Sequence, residues 1–363
     1  MTTIQDVARH AAVSVSTVSN VLNGRGERMR PETLARVQAA IQALQFRPSR
    51  LAQQLKTGQT PLIGLLVPSM TNPMYGAIAR EIETFAQQLF SHRLLIGSTY
   101  RDRAKESAFF DDLLSHGVRR VIVISSLADE RHFESAVERG MVVVSYDRGP
   151  TPGKRSRVGH VMPDNFEAAR LATSYLIAQG HRHLAFATVA GMTMSRSAKI
   201  DGFYAAADAV GLRNSARVLN GGALDEYGDS VIAQVGRETA LQIARDGARP
   251  TGIVALNDLM ALGLMAGLRE AGLTVPDDVS VVGIDGLFLS TLSNPALTTV
   301  QLPIREMARA MVERVMQAPG DSGVDEPGLV FAPTQLVERQ SVAPPAKAQR
   351  PGAASRKAQA TAR

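Results

Sequence analysis

From Leu62 onward the chain alternates short apolar runs with longer amphipathic stretches, and no other feature restricts its fold as strongly. Runs of strand length and strand composition fall at 62–67, 93–98, 120–124, 141–145, 183–188, 252–255 and 279–284. Between most of them lie stretches of helical period, at 73–90, 102–116, 164–179, 197–210, 228–245 and 257–271. Parallel strands need a crossover, usually a helix, so this alternation predicts parallel sheets covered by helices on both faces. The strands divide more readily into two doubly wound lobes than into one very wide sheet. In such folds ligands bind beyond the carboxyl ends of the strands. Polar residues cluster at those positions: "PSMTNPMY" after the first run, "STYRD" after the second, "DRG" after the fourth, "ND" at 257–258 and "IDG" at 284–286.

Residues 1–48 follow another rule, with three short helical patterns and no strand. The first starts after Thr3, whose hydroxyl pairs with Asp6 as a carboxylate variant of the capping box, and it turns Ile4, Val7, Ala8 and Ala11 to one side. The second starts after Ser14 and buries Val18, Val21 and Leu22, leaving "HAAV" as a tight turn with Val13 free to pack inward. The third starts at Pro31, a residue suited to the first helical position, with Leu34, Val37, Ile41 and Leu44 on one stripe.

Two helices joined by a tight turn, the second polar on its outer side, form a helix-turn-helix, whose second helix enters the DNA major groove. Charge agrees with that reading. Residues 1–56 carry eight Lys/Arg and three Asp/Glu, whereas the chain as a whole is only +6. On a 3.6-residue period Val15, Ser16 and Asn20 point away from the core. Val15 suits a thymine methyl, while Ser16 and Asn20 suit base edges. Ser14, Thr17 and Asn23 are placed to meet phosphates and set the docking register. The competing reading is an ordinary solvated helix in a small bundle.

The run "TIQDVARHAAVSVSTVSNVLNG" resembles the N-terminus of the lactose repressor/galactose repressor family of bacterial transcription regulators. The likeness extends over residues 3–340 through "FRPSRLAQQLKTG", "IGLLVPSMTNPMY", "VSYDRGP", "YLIAQGHRHLAF", "ALNDLMALGLMAGLREAGLTVPDDVSVVGID" and "NPALTTV". The resemblance implies a DNA-binding head on a two-lobed, periplasmic-binding-protein-like α/β core. It implies a dimer on double-stranded operator DNA, with a small effector between the lobes altering operator affinity. The domains on this reading are a head at 1–48, a hinge helix and linker at 49–61, the core at 62–340 and a tail at 341–363. "RLAQQLK" looks like the family's hinge helix. There Leu55 matches the leucine that wedges into the minor groove, and Ala52 and Lys56 match its neighbouring contacts. In the core, Asn72, Met74 and Tyr75 match the first lobe's cleft loop, and Asp147 and Arg148 a polar pair of the pocket wall. Asn257, Asp258 and Asp285 match ligand-bonding positions of the second lobe, although Asp258 is equally placed to cap a helix. Arg196 resembles the effector-binding arginine, with Lys199 as the alternative.

The chain also departs from the family. Asn20 stands where arginine is usual, which points to a different operator sequence. Ala12 replaces the turn glycine, so the turn is expected to form another way. Leu302, beside Gln301, replaces a frequent pocket glutamine. Gly286 replaces the second acid of a common "DD", and no aromatic platform appears near "GGALDEY". A sugar, polyol or related metabolite is the expected effector class.

The remaining signals mostly exclude. No apolar run approaches the roughly 20 residues that span a bilayer. "MTTIQDVARH" has no export-signal pattern, which favours the cytoplasm over the alternative of a secreted solute-binding protein with the same core. Without cysteine, disulfides and thiolate metal sites are impossible. His181 and His183 lack companion ligands, no glycine-rich phosphate loop follows a strand, and no nucleophile–base–acid set is assembled. No enzyme activity, metal or cofactor is therefore expected, although a sugar-processing enzyme on a two-lobed scaffold is the remaining alternative. The tail carries five Lys/Arg and no acid among Ala and Pro, a composition that predicts disorder. It lacks the leucine heptads of a tetramerising coiled coil, so a homodimer is expected before a tetramer.

Overall fold

The computed structural model describes residues 2–22, 29–46, 60–100, 102–125, 131–146, 157–191, 193–222, 229–317, 328–333 and 335–346. They form two compact units, Met1–Thr60 and Pro61–Arg363.

The first unit holds helices Ile4–His10, Val15–Leu22 and Pro31–Ala43. Asp6 N donates to the Thr3 hydroxyl while Thr3 N donates back to the Asp6 carboxylate at 2.9 Å, the reciprocal capping box. Hydrogen bonds from Thr3 hold the Asp6 carboxyl below its usual value. Ser14 caps the second helix by accepting from Thr17 N at 3.2 Å. Val7, Ala8, Ala11, Val18, Val37, Ala40 and Phe46 are buried together, with Val21 and Leu22 packed against them.

Ala12 corrects an expectation. Its φ is +54°, the left-handed conformation that glycine takes without strain. The turn is thus reached through a left-handed residue even without glycine, with a methyl group where none is favoured. The reason is local: Ala12 N donates to Arg9 O and Val13 N to Ala8 O, so the chain closes on the first helix before Val13 packs inward.

The second unit contains two six-stranded sheets. The first joins β1 (Leu62–Val67), β2 (Arg93–Ser98), β3 (Arg120–Ile124), β4 (Val142–Tyr146) and β5 (Gly159–Pro163). The second joins β6 (Leu184–Thr188), β7 (Ala216–Asn220), β8 (Gly252–Ala255), β9 (Ser280–Asp285) and β10 (Thr298–Gln301). β11 (Leu329–Phe331) adds to the first sheet beside β5, and β12 (Gln335–Val337) to the second beside β10. The spatial orders β2-β1-β3-β4-β5 and β7-β6-β8-β9-β10 are the same doubly wound order used twice. All pairings are parallel except β10 with β12. The seven expected strands are present; β5, β7, β10, β11 and β12 are additional, and their polar or very short segments carry no apolar run.

Three passages connect the lobes. The chain leaves β5 at Pro163 for helix Asn165–Ala178, which packs on the second lobe. It leaves β10 at Gln301 for helix Ile304–Met316, which packs on the first. It crosses again between β11 and β12. Asp164 N donates to Phe331 O at 2.8 Å, tying the first passage to the third.

The tail reading needs correction at its start. Ser341 is fully buried; its hydroxyl donates to Val281 O at 2.6 Å and accepts from Thr298 N at 2.8 Å. Val281 N donates to Ser341 O, and Ala343 N to the Ser280 hydroxyl. Residues 341–346 therefore belong to the second lobe. Composition suggested otherwise because the segment is held by hydrogen bonds of small residues, not by large apolar side chains. Residues 347–363 lie outside the described residues.

The left-handed alanine gives a direct test of the head. An L-residue in this conformation is disfavoured by roughly 1–2 kcal/mol, part of which glycine returns as unfolded-chain entropy. Ala12→Gly should stabilise the head by about 1 kcal/mol, slowing hydrogen exchange at the buried Ala11 and Val18 amides by roughly five-fold. Unchanged or faster exchange would show that Ala12 carries no strain.

Candidate functional site

On the recognition helix Val15–Leu22 the three residues expected to read bases form one exposed strip. Val15 is 42 % exposed, and Ser16 and Asn20 are exposed beside it. Val18 is fully buried on the opposite side. Ser14, Ser16 and Thr17 share their hydroxyls at 2.7 and 2.8 Å, so a phosphate arriving there meets a preformed polar cluster. Asn23, Ala52, Leu55 and Lys56 lie outside the described residues.

In the core, a cleft of about 690 Å3, partly open to solvent, lies at the carboxyl ends of both sheets. Its walls are built by the starts of helices. Asn72 caps helix Pro73–Phe90, accepting from Met74 N at 2.9 Å, and it lines the cleft with Met74 and Tyr75. Thr193 caps helix Met194–Asp208 by accepting from Arg196 N, and it lines the cleft with Ser195, Arg196 and Lys199. Asn257 caps helix Asp258–Glu270, accepting from Met260 N at 2.9 Å, beside Leu256. Asn165, first residue of helix Asn165–Ala178, enters at the first passage between lobes together with Pro163, and Leu302 enters at the second. An amide or hydroxyl that caps a helix is held in one rotamer, so these groups are placed before any ligand arrives.

The two cations are held differently. Arg196 Nη1 donates to the carbonyls of Ala190 and Gly191, which fixes its guanidinium against the preceding loop. Lys199 Nζ donates to Leu256 O at 3.1 Å, reaching across to the loop after β8. Both residues that were alternatives for one role therefore line the same wall. The close approach of their helix to helix Asn165–Ala178 depends on Gly202, where a Cβ would strike the Phe166 carbonyl.

Asp285 ends β9 with φ +132°, a conformation rarely taken by residues other than glycine, and its side chain lines the cleft. Backbone strain at such a position costs of order 1–3 kcal/mol and gathers at ligand sites. Next to it Gly286 has φ +77° and a Cβ there would lie 2.8 Å from Gln301 Cα, so an acid at this position has no room.

Asp258 is a correction. Expected on the pocket wall, it is fully buried beneath the cleft and absent from its lining. Its carboxylate accepts from Leu287 N at 2.7 Å and from the Thr299 hydroxyl at 2.5 Å, pinning the loop after β9 to β10 and the helix start. A neighbouring position that caps and one that binds ligand look alike in sequence. Asp147 and Arg148 lie outside the described residues. Tyr146, Pro163, Asn165, Thr193, Ser195, Ile232 and Leu256 line the cleft without having been singled out. For Tyr146 and Leu256 their position at a strand end was the available signal.

Comparison with known proteins agrees with this arrangement. Residues 3–49 match the bacterial regulatory proteins of the lacI family, and residues 173–342 match a periplasmic binding protein-like domain. The transcriptional regulator GalR of Escherichia coli is 31 % identical over 347 residues, covering 95 % of this chain and 97 % of its own. The chain belongs to the lacI family of bacterial regulators. The transcriptional repressor PurR of Aliivibrio fischeri (strain MJ11) is 31 % identical over 346 residues, covering 94 % of this chain and 98 % of its own. A crystal structure of the lac repressor dimer bound to operator and the anti-inducer ONPF superposes with a TM-score of 0.78 at 25 % identity, over 94 % of this chain and 99 % of that one. As a lacI-family member the protein is a DNA-binding transcriptional regulator. Among the described residues no helix is long and apolar enough to cross a membrane, and no group of three or more His, Cys, Asp or Glu is placed to hold a metal.

The buried Asp258 makes this lacI-family core sensitive to pH. Burial pushes its carboxyl up to about 7, against the opposing hydrogen bonds from Thr299 and Leu287. Between pH 4 and 7 the folded state then holds a proton that the unfolded chain has lost. This group's contribution is therefore greatest below pH 4 and declines as pH rises, at up to about 1.4 kcal/mol per unit. Asp258→Asn imitates the protonated form, keeping an acceptor for Leu287 N and offering a donor to the Thr299 oxygen. Urea unfolding of the variant should lose this decline between pH 5 and 7.5; an unchanged slope would place the titration elsewhere.

Proposed function

We propose that the protein is a cytoplasmic homodimeric repressor whose affinity for operator DNA is set by a small molecule bound between the lobes. The observation that carries this reading is that both lobes and two of the passages joining them line one cleft. A ligand there touches groups whose separation changes when the lobes rotate about those passages, so it favours one arrangement over the other. In the DNA-bound state residues 49–56 would fold as a hinge helix, Leu55 from each subunit would wedge into the minor groove, and Ala52 and Lys56 would contact its walls. Asn72, Met74, Tyr75, Arg196, Asn257 and Asp285 would hold the effector, joined by Asp147 and Arg148. The family's operator-bound lac repressor dimer supports the pairing of heads on a two-fold site. Release of DNA on effector binding is the proposed sign, with a coupling of about 1–3 kcal/mol.

Two measurements test the two halves of the reading. Asn20→Arg should alter base preference at one position of each half-site in binding-site selection, by roughly 1–3 kcal/mol. An unaltered profile removes Asn20 from base readout. A sugar, polyol or nucleobase that stabilises the full chain in a thermal-shift screen should weaken operator binding by at least five-fold, and Asp285→Ala should remove that response. A retained response removes Asp285 from the site.

A further inference from the structure

The charges around the cleft say more about its ligand than the family does. Among the described residues that line it, Arg196 and Lys199 are cationic and Asp285 is the one carboxylate. Four helices also begin at the cleft: Pro73–Phe90, Asn165–Ala178, Met194–Asp208 and Asp258–Glu270. Each contributes lining residues from its first turn or its cap, and each has the positive end of its dipole there. Three further acids stand near these helix starts, and all are engaged. Asp164 accepts from Glu167 N, Glu167 pairs with Arg170, and Asp258 accepts from Leu287 N and the Thr299 hydroxyl.

Lys199 decides the matter. It is only 8 % exposed, yet among the described residues its ammonium has one partner, the neutral carbonyl of Leu256. No described carboxylate forms an ion pair with it. A buried ammonium held by one carbonyl among the described residues is poorly compensated, and an anionic oxygen in the cleft would complete its coordination. Asp285 and the capping residues Asn72 and Asn257, which also line the cleft, suit hydroxyl groups.

From this we infer that the effector is an acidic polyol: a hydroxylated small molecule whose carboxylate or phosphate is held by Lys199, with Arg196 beside it, while its hydroxyls face Asp285 and Asn257. The inference rests on the effector reading of the cleft and narrows it from sugars in general to sugars carrying negative charge.

The test uses the full chain at low salt with matched probes in isothermal titration: D-glucose, D-gluconate and glucose 6-phosphate, and D-galactose with D-galacturonate. At least one acid should bind ten-fold or more tightly than its neutral counterpart. The gluconate and glucose 6-phosphate arms separate a carboxylate from a phosphate. Lys199→Gln should abolish the preference for the acid, and Lys199→Arg, which keeps the charge, should retain it. Equal or tighter binding of the neutral sugars, or a preference untouched in Lys199→Gln, overturns the inference and leaves the effector reading standing. Binding unaltered when both Lys199 and Asp285 are replaced places the ligand elsewhere and overturns both.

Discussion

A parallel strand cannot be followed by a hairpin to its parallel neighbour, and that topological constraint arranges everything else in the core. Each crossover helix must begin just beyond the carboxyl end of the strand before it. All helix starts of a lobe therefore gather along one edge of its sheet. The same strand order occurs in both lobes, and the cleft draws on the carboxyl ends of both sheets. Capping side chains, unsatisfied helix N–H groups and strand-end polar residues consequently come together without any one of them being placed for that purpose.

The passages between lobes give that collection of polar groups a moving part. Pro163 and Leu302 sit within passages and also line the cleft, so a ligand there lies near the axis about which the lobes turn. Asp164 N bonded to Phe331 O, and Leu302 N bonded to Asp285 O at 3.3 Å, couple the passages to each other and to the strained end of β9. Gly286, next to the strained Asp285, lies close against Gln301, and Asp258 beneath holds Leu287 N and the Thr299 hydroxyl. A buried carboxylate that takes no part in the cleft wall thus anchors the loop that follows the one that does.

The head depends on local rules, and local rules are what sequence states most clearly. Thr3 with Asp6, Ser14, and Pro31 mark three helix starts, and each start was legible because a cap involves residues only three positions apart. Ala12 was misread for the complementary reason. Its identity argues against a left-handed turn, but the packing of Val13 and the helix hydrogen bonds demand one, and tertiary context prevailed. Phe46 closes the same core from outside the third helix, where no helical period announces it. In the core, β5, β7 and β10 escaped notice because "GHVMP", "ARVLN" and "TTVQ" owe their strand conformation to the neighbours they pair with.

The site was legible as a set of loops but not as a set of roles. Strand-end position identified the loops of Asn72, Asn257 and Asp285, because topology alone sends them to the cleft. Topology does not say which of two nearby acids looks outward. Asp258 turns down to Thr299 because it lies inside the first turn of its helix, whereas Asp285 ends a strand and projects from the sheet edge. Arg196 and Lys199 posed the same difficulty with the opposite outcome. Residues three apart on a helix share a face, so a spacing argument that tries to choose between them is choosing between neighbours on one wall. The physical distinction appears only in their partners: Arg196 is anchored to the loop before its helix, and Lys199 extends to the loop after β8, where a single carbonyl meets it among the described residues. Of the two, the lysine leaves more of its charge for a ligand to answer.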